Sequence, residues 1–207
     1  MNNSNSHIVQ VYNSRKNLLE ILETRGFNTS SYNNFSISEI GILTEQDQLD
    51  MLLEDSNNKK IYVKYYINKV IKPANIYNMI EDLFYLENIL TKKDDLMIIV
   101  KDEPNDTLVQ TVKDIWMQDS IYTSTINIKR LQYNILNHVL VPKHSILSKP
   151  EEIEFKRKFN ILDNNIPDIS YFSPVSLVLG IRPNDIVKIE RKSRTAIKAD
   201  FYRICKL

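Results

Sequence analysis

Apolar positions along this chain recur first at helical and then at strand spacing. Over residues 7–25, Val11, Leu18, Leu19 and Leu22 form one helical stripe, and Gly26 follows where a helix stop is expected. The charged positions of that helix, Arg15, Lys16, Glu20, Glu23 and Arg25, are expected mostly in solvent. Residues 28–35 are polar and predict a loop. A second helix is expected over about residues 38–55, closed by the turn-forming Ser56-Asn57-Asn58. The period then changes to two. Ile61, Val63, Tyr65 and Ile67 alternate with Tyr62, Lys64 and Tyr66, which predicts a strand with one buried face.

Residues 75–90 return to helical spacing, and the short apolar run 96–100 suits a buried strand between helices. Strand, helix, strand implies a right-handed crossover. A helix over 107–117 and an extended segment over 122–128 complete an α/β layer with at least three strands. Further on, Ser148-Lys149-Pro150-Glu151 has capping-box form and opens a helix to about Phe159. Residues 163–167 predict a turn, Ser173-Pro174 another helix start, and Pro183-Asn184-Asp185 a turn into a strand over 186–191. Residues 201–205 form the last strand.

Charge divides the chain where its grammar changes. Residues 1–137 hold 14 Lys and Arg against 18 Asp and Glu, net −4; residues 138–207 hold 13 against 8, net +5. The near-neutral total of +1 conceals this asymmetry. Between the halves lies His138-Val139-Leu140-Val141-Pro142-Lys143-His144, which reads as a hinge. The expected organisation is therefore an α/β N-terminal domain over 1–137, with a nuclease-like layered sheet and helices, and a small α+β C-terminal domain over 138–207.

Composition excludes several functions. No apolar run is long enough to span a bilayer, and the first six residues show no signal-peptide pattern, so an intracellular soluble protein without membrane partners is expected. One cysteine, Cys205, forbids an internal disulfide and a Cys-rich zinc site; His7, His138 and His144 lack clustered co-ligands. No metal or cofactor is expected. Three glycines far apart cannot make a phosphate-cradling loop, so no nucleotide or other small-molecule ligand is implied. A metal-dependent nuclease would place an acid two residues before its strand lysine, where Lys64 has Tyr62 instead. Direct nucleic-acid binding wants a basic surface, and the larger domain is acidic.

The hinge and the residues beyond it resemble a family. LQYNILNHVLVPKH from Leu131, then Ile166-Pro167-Asp168-Ile169, Ser173-Pro174-Val175, Gly180, IVKIERKSRTA over 186–196 and Tyr202-Arg203 are similar to the fifth subunit shared by eukaryotic nuclear RNA polymerases. The C-terminal domain of that subunit corresponds to a small archaeal polymerase subunit, which has no N-terminal domain. SRKNLLEILETRGF over 14–27 looks like the first helix of the additional N-terminal domain of the eukaryotic type; over 28–110 the likeness rests on element order. The chain departs from the family at Ser173, where Asp is usual, at Leu177, an Arg-type position, and at Asn184 and Ile197, where glycines are usual.

The resemblance implies a non-catalytic polymerase subunit active in transcription. Its C-terminal domain would dock on the largest subunit, and its N-terminal domain would form part of a jaw near downstream DNA, touching DNA only within the complex. Candidate partner-binding residues are His138, Pro142, His144, Pro174, Arg191, Ser193, Thr195, Ala196, Tyr202 and Arg203. A free-standing transcription regulator reusing the fold and a nuclease-like enzyme are the alternatives. The skew toward Asn, Ile, Lys and Tyr suggests an AT-rich eukaryote, with nuclear localisation, or a large DNA virus, with localisation in host cytoplasm and virion.

Overall fold

The structure, a computed structural model, describes residues 2–193 and 195–207. The chain forms two compact units, one ending at Asn134 and the other beginning at Ile135.

The first unit begins with α1 (Asn2–Thr24). Its stripe behaves as its spacing dictates: Val11, Leu18, Leu19, Ile21 and Leu22 are all buried, each stabilising the fold by about 1.5–3 kcal/mol. Gly26 ends the helix run at φ +95, where a Cβ would stand 3.2 Å from Asp55 Oδ1. Arg15 and Arg25 are not on a solvated face; Arg15 is buried and the Arg25 side chain is 7% exposed, with consequences described below.

The expected helix over 38–55 is half helix and half strand. Ser36 caps α2 (Ile37–Glu45), and its amide donates to Glu39 at 2.6 Å. Asp47, at φ 53, ends the helical path. From Met51 the burial alternates, with Met51 and Leu53 inside and Leu52 and Glu54 outside, and β1 (Met51–Glu54) pairs antiparallel with β2 (Lys60–Tyr66). Four apolar residues in nine satisfy a helical template as well as a strand. Only the hairpin partner decides.

Strands β3 (Asp95–Val100) and β4 (Tyr122–Asn127) run parallel to β2, giving the order β1-β2-β3-β4. Helix α3 (Pro73–Ile80) continues as a π-helical turn over Glu81–Leu86 and stops there, four residues before the expected end. α4 (Asp106–Asp119) closes at Ser120, which takes the left-handed conformation. Ile76, Ile80 and Phe84 join Leu108 and Ile115 of α4 against Leu96, Ile98 and Val100. The opposite face of β3 turns to α1, where Asp95 meets Arg25. A sheet covered on both faces explains why every β3 residue is buried.

In the second unit a short 3-10 turn (Ile135–Asn137) leads to β5 (Lys143–Ile146), α5 (Lys149–Phe159), β6 (Asp168–Ser170), α6 (Pro174–Leu179), β7 (Ile186–Lys192) and β8 (Lys198–Lys206), with sheet order β5-β7-β8-β6. The end of the expected hinge is thus strand β5, which pairs antiparallel with β7. β6 is a second strand beyond the sequence expectation, and three residues are too few to show a period. The Ser148 amide and hydroxyl donate to Glu151 at 2.7 and 2.6 Å, opening α5 as its pattern implies. Phe155, Ile166, Ile186 and Ile204 form the core on the α5 side.

Two departures from the family pattern fall on demanding backbone. Asn184 sits at φ 71, which asparagine tolerates, but Ile197 sits at φ 49, where a β-branched residue is strained. Ile197→Gly is therefore expected to stabilise the second unit by about 1 kcal/mol. A lower urea midpoint for the variant would show that the hairpin does not hold that strain.

Candidate protein-docking site

Antiparallel pairing fixes which residues of β5, β7 and β8 share a face, because directly opposed residues point the same way. One face carries two rows across the three strands, His144-Ile189-Phe201 and Ile146-Val187-Arg203. The other carries Lys143-Glu190-Asp200 and Ser145-Lys188-Tyr202. The second face is committed to the fold. Tyr202 stacks on Phe155 of α5 with centroids 4.1 Å apart, and Lys188 pairs with Asp200 at 2.9 Å.

The first face is different. Val187 and Ile189 are buried in its middle, yet Ile146 and Phe201 beside them are 40% and 45% exposed. Arg191 lies one step along the same face, its guanidinium 5.0 Å from the Phe201 ring centre. The turn before β5 holds out Val139 and Leu140, 92% and 83% exposed, and the β7–β8 hairpin holds out Ile197 at 85%. Of the eight exposed large apolar side chains described in this unit, Val139, Leu140, Ile146, Ile197 and Phe201 lie on this face and its two flanking loops, with Arg191, Lys192 and Lys198 exposed around them, while Ile153, Phe159 and Leu162 lie on α5 and just after it. Such a mixture suits a protein partner.

His144, Arg191 and Phe201 share this face. Ser193, Thr195 and Ala196 form its hairpin, where the amides of Thr195 and Ala196 donate to Ser193 Oγ at 3.4 and 3.3 Å. Arg203 belongs to the same face, but its Nη1 donates to the Asp168 carbonyl at 2.6 Å and ties β8 to β6. Its first task is therefore structural. Tyr202 lies on the opposite face, within the core side. Pro174 is exposed at the first position of α6, whose cap Ser173 accepts from Ser176 N–H at 3.2 Å. His138 is exposed in the turn, and its Nδ1 accepts from Leu140 N–H at 3.2 Å. Valine, leucine, isoleucine and phenylalanine at 139, 140, 146 and 201 have no chemical signature, so only their exposure marks them as candidates for docking.

Pro142 shapes the path into β5 and is half-buried; its carbonyl accepts from His144 Nδ1–H at 2.7 Å. Burial pushes the His144 pKa below its ordinary 6.5, with the Pro142 hydrogen bond opposing and Arg191 reinforcing the shift. A depressed folded value means that the unfolded chain takes the proton first. Stability from this group is complete above about pH 6.5 and is lost as pH falls through the folded value. The melting temperature of the second unit is expected to fall on acidification within that window, and His144→Gln should remove that component. An unchanged pH profile in the variant would contradict this.

Catalytic groups do not gather here. Cys205 is buried and its thiol is pushed up to about 12 by desolvation, so it is no nucleophile at neutral pH. In the first unit a carboxylate does reach Lys64. It comes from Asp50, which accepts from Lys64 Nζ at 2.5 Å, Tyr62 Oη at 3.1 Å and Tyr65 N–H at 3.1 Å. Those three donors take most of that carboxylate's acceptor sites. Among the described residues no group of His, Cys, Asp or Glu is arranged to hold a metal.

Residues 133–205 match the family model described as RNA polymerase Rpb5, C-terminal domain. The chain is 41% identical over 73 residues, 35% of its length, to the DNA-directed RNA polymerase subunit Rpo5 of Thermococcus kodakarensis, of which this covers 89%. It is 40% identical over 74 residues to the Rpo5 of Archaeoglobus fulgidus, 36% of this chain and 97% of that protein. A longer match, 24% identical over 191 residues, spans 92% of this chain and 94% of DNA-directed RNA polymerases I, II, and III subunit rpabc1 of Dictyostelium discoideum.

Proposed function

Because this chain belongs to the Rpb5/Rpo5 family of DNA-directed RNA polymerase subunits, we propose that its C-terminal unit docks on the largest subunit of such an enzyme while its N-terminal unit forms part of a jaw near downstream DNA. It is a non-catalytic subunit serving transcription. The observation that carries the docking reading is the face bearing His144, Phe201, Ile146 and Arg191, flanked by exposed Val139 and Leu140. An apolar patch rimmed by cations, on a unit of net positive charge, fits an acidic surface with an apolar centre.

The two units correspond on this reading to a jaw-like domain over 1–137 and an assembly domain over 138–207. The first is a mixed sheet with helices, which we read as a nuclease-like layering, with Asp50 spent on Lys64 and two neighbours rather than left for a metal. The match over most of the length of a eukaryotic relative supports a eukaryotic-type polymerase, and hence the nucleus as the working compartment.

Contact with DNA belongs to the assembled enzyme. Phosphate neutralisation by an acidic domain is poor, so the isolated chain is expected to bind duplex DNA with a Kd of about 10⁻⁴ to 10⁻⁶ M or weaker at physiological salt. Fluorescence anisotropy with labelled duplexes measures this directly. Sub-micromolar, sequence-selective binding would favour a free-standing regulator instead.

A further inference from the structure

Two arginines ten residues apart, Arg15 within α1 and Arg25 just past its end, have side chains withdrawn from solvent, and the fold treats them differently. Arg25 Nη2 meets the fully buried Asp95 carboxylate at 2.5 Å. Arg15 is 3% exposed, yet no carboxylate among the described residues pairs with it. Its Nη1 donates to the Leu49 carbonyl at 2.8 Å, and its Nε is buried without a partner. The guanidinium carbon lies 5.5 Å from the Tyr32 ring centre and 5.4 Å from that of Phe35. Asp50 is the negative charge it feels, but that carboxylate is already held by Lys64 and Tyr62. A buried cation so poorly compensated is costly unless something completes it.

Arg15 also lines a cleft of about 240 Å³ between α1, the loop after it and α2. Tyr12, Leu19, Phe35 and Ile40 supply apolar walls, and Lys16 adds a second cation. Glu20 and Glu23 also border the cleft. We propose that this cleft receives one acidic side chain of a polypeptide partner, whose methylenes lie against Phe35 and Ile40 and whose carboxylate meets Arg15 and Lys16. A cleft of that volume holds a glutamate side chain with room to spare. Glu20 and Glu23 would repel the neighbouring phosphates of a nucleic acid, and they favour an acidic residue flanked by basic ones. The matched arginine, Arg25, shows what the missing partner of Arg15 is: a carboxylate.

The test uses the full chain, ¹⁵N-labelled, with the arginine Nε–Hε signals followed by NMR. Titration with the capped tripeptide Lys-Glu-Lys is expected to shift the Arg15 Nε–Hε signal and the Phe35 and Ile40 amides saturably, with a Kd of about 1 mM. Lys-Gln-Lys should bind about tenfold more weakly or worse. Arg15→Met should abolish the response with the rest of the spectrum retained; if that variant loses its fold, Arg15→Lys, which keeps the charge, should weaken the response instead. Equal responses to the two peptides, no response of Arg15 to either, or an equally strong response to inorganic phosphate would each overturn the proposal.

Discussion

Asp95→Ala is expected to destabilise the N-terminal unit by about 3–5 kcal/mol, the range for removing one partner of a buried ion pair. Asp95 is fully buried and accepts from Arg25 Nη2 at 2.5 Å and from Lys59 Nζ at 2.9 Å. Lys59 is one-third exposed and regains water when the carboxylate is lost. Arg25 cannot. Its side chain is 7% exposed and its Nη1 has no other partner, so truncation of Asp95 leaves a charge in the interior at the junction of α1 and β3. Small domains hold about 5–15 kcal/mol in all, so a large fraction of the stability goes with this one carboxylate. The sole tryptophan, Trp116, lies in α4 of the same unit, so its fluorescence reports urea unfolding there. Adding Arg25→Met to the variant should recover part of the loss, because the stranded charge is then gone. A single-variant loss below about 1 kcal/mol would mean that solvent reaches Arg25 after all.

Leu140→Asp together with Phe201→Asp should weaken assembly with the polymerase by about a hundredfold or more while the isolated chain stays folded. Leu140 is 83% exposed and Phe201 45%, neither belonging to the buried core, so the fold survives their change. At a docked interface they would be the kind of central apolar anchors that carry most of the affinity, and a carboxylate in either place would be desolvated without a partner. Arg191→Ala should weaken docking less, by removing a cation that also shields Phe201. Arg203→Ala behaves differently, because the bond to the Asp168 carbonyl holds β6 against β8 and its loss loosens the sheet before any partner arrives. Circular dichroism separates these outcomes, and titration against polymerase depleted of this chain reads the affinity. Wild-type affinity in the folded double variant would move the docking surface elsewhere.

The legible parts of the fold were those whose period is long or whose capping is explicit. α1, β2, β3 and α5 each carry either a sustained apolar repeat or the Ser148–Glu151 box, and local chemistry alone sets them. Residues 46–54 misled because a short amphipathic run fits both periods, and the choice of β1 was made by pairing with β2. β5 and β6 were hidden for a related reason. Each is an edge strand of four residues or fewer with little burial, so its sequence records almost nothing of its neighbour. Arg15 and Arg25 show the limit of reading charge as exposure: the Arg25 side chain is withdrawn from solvent because Asp95 is seventy residues away in sequence and adjacent in space. At the proposed docking site, motif residues His144, Arg191 and Ser193 were visible as chemistry. Val139, Leu140, Ile146 and Phe201 were not, because an apolar residue signals docking only once the fold leaves it uncovered.

The most direct measurement places a photo-crosslinking phenylalanine analogue at Phe201 in the tagged chain, expressed in the cells it comes from, and identifies its adducts in the purified assembly. The docking reading predicts that the chain travels stoichiometrically with an RNA polymerase through moderate salt and that the adduct maps to the largest subunit. A chain that leaves the polymerase in moderate salt, or an adduct on any other protein, would contradict it.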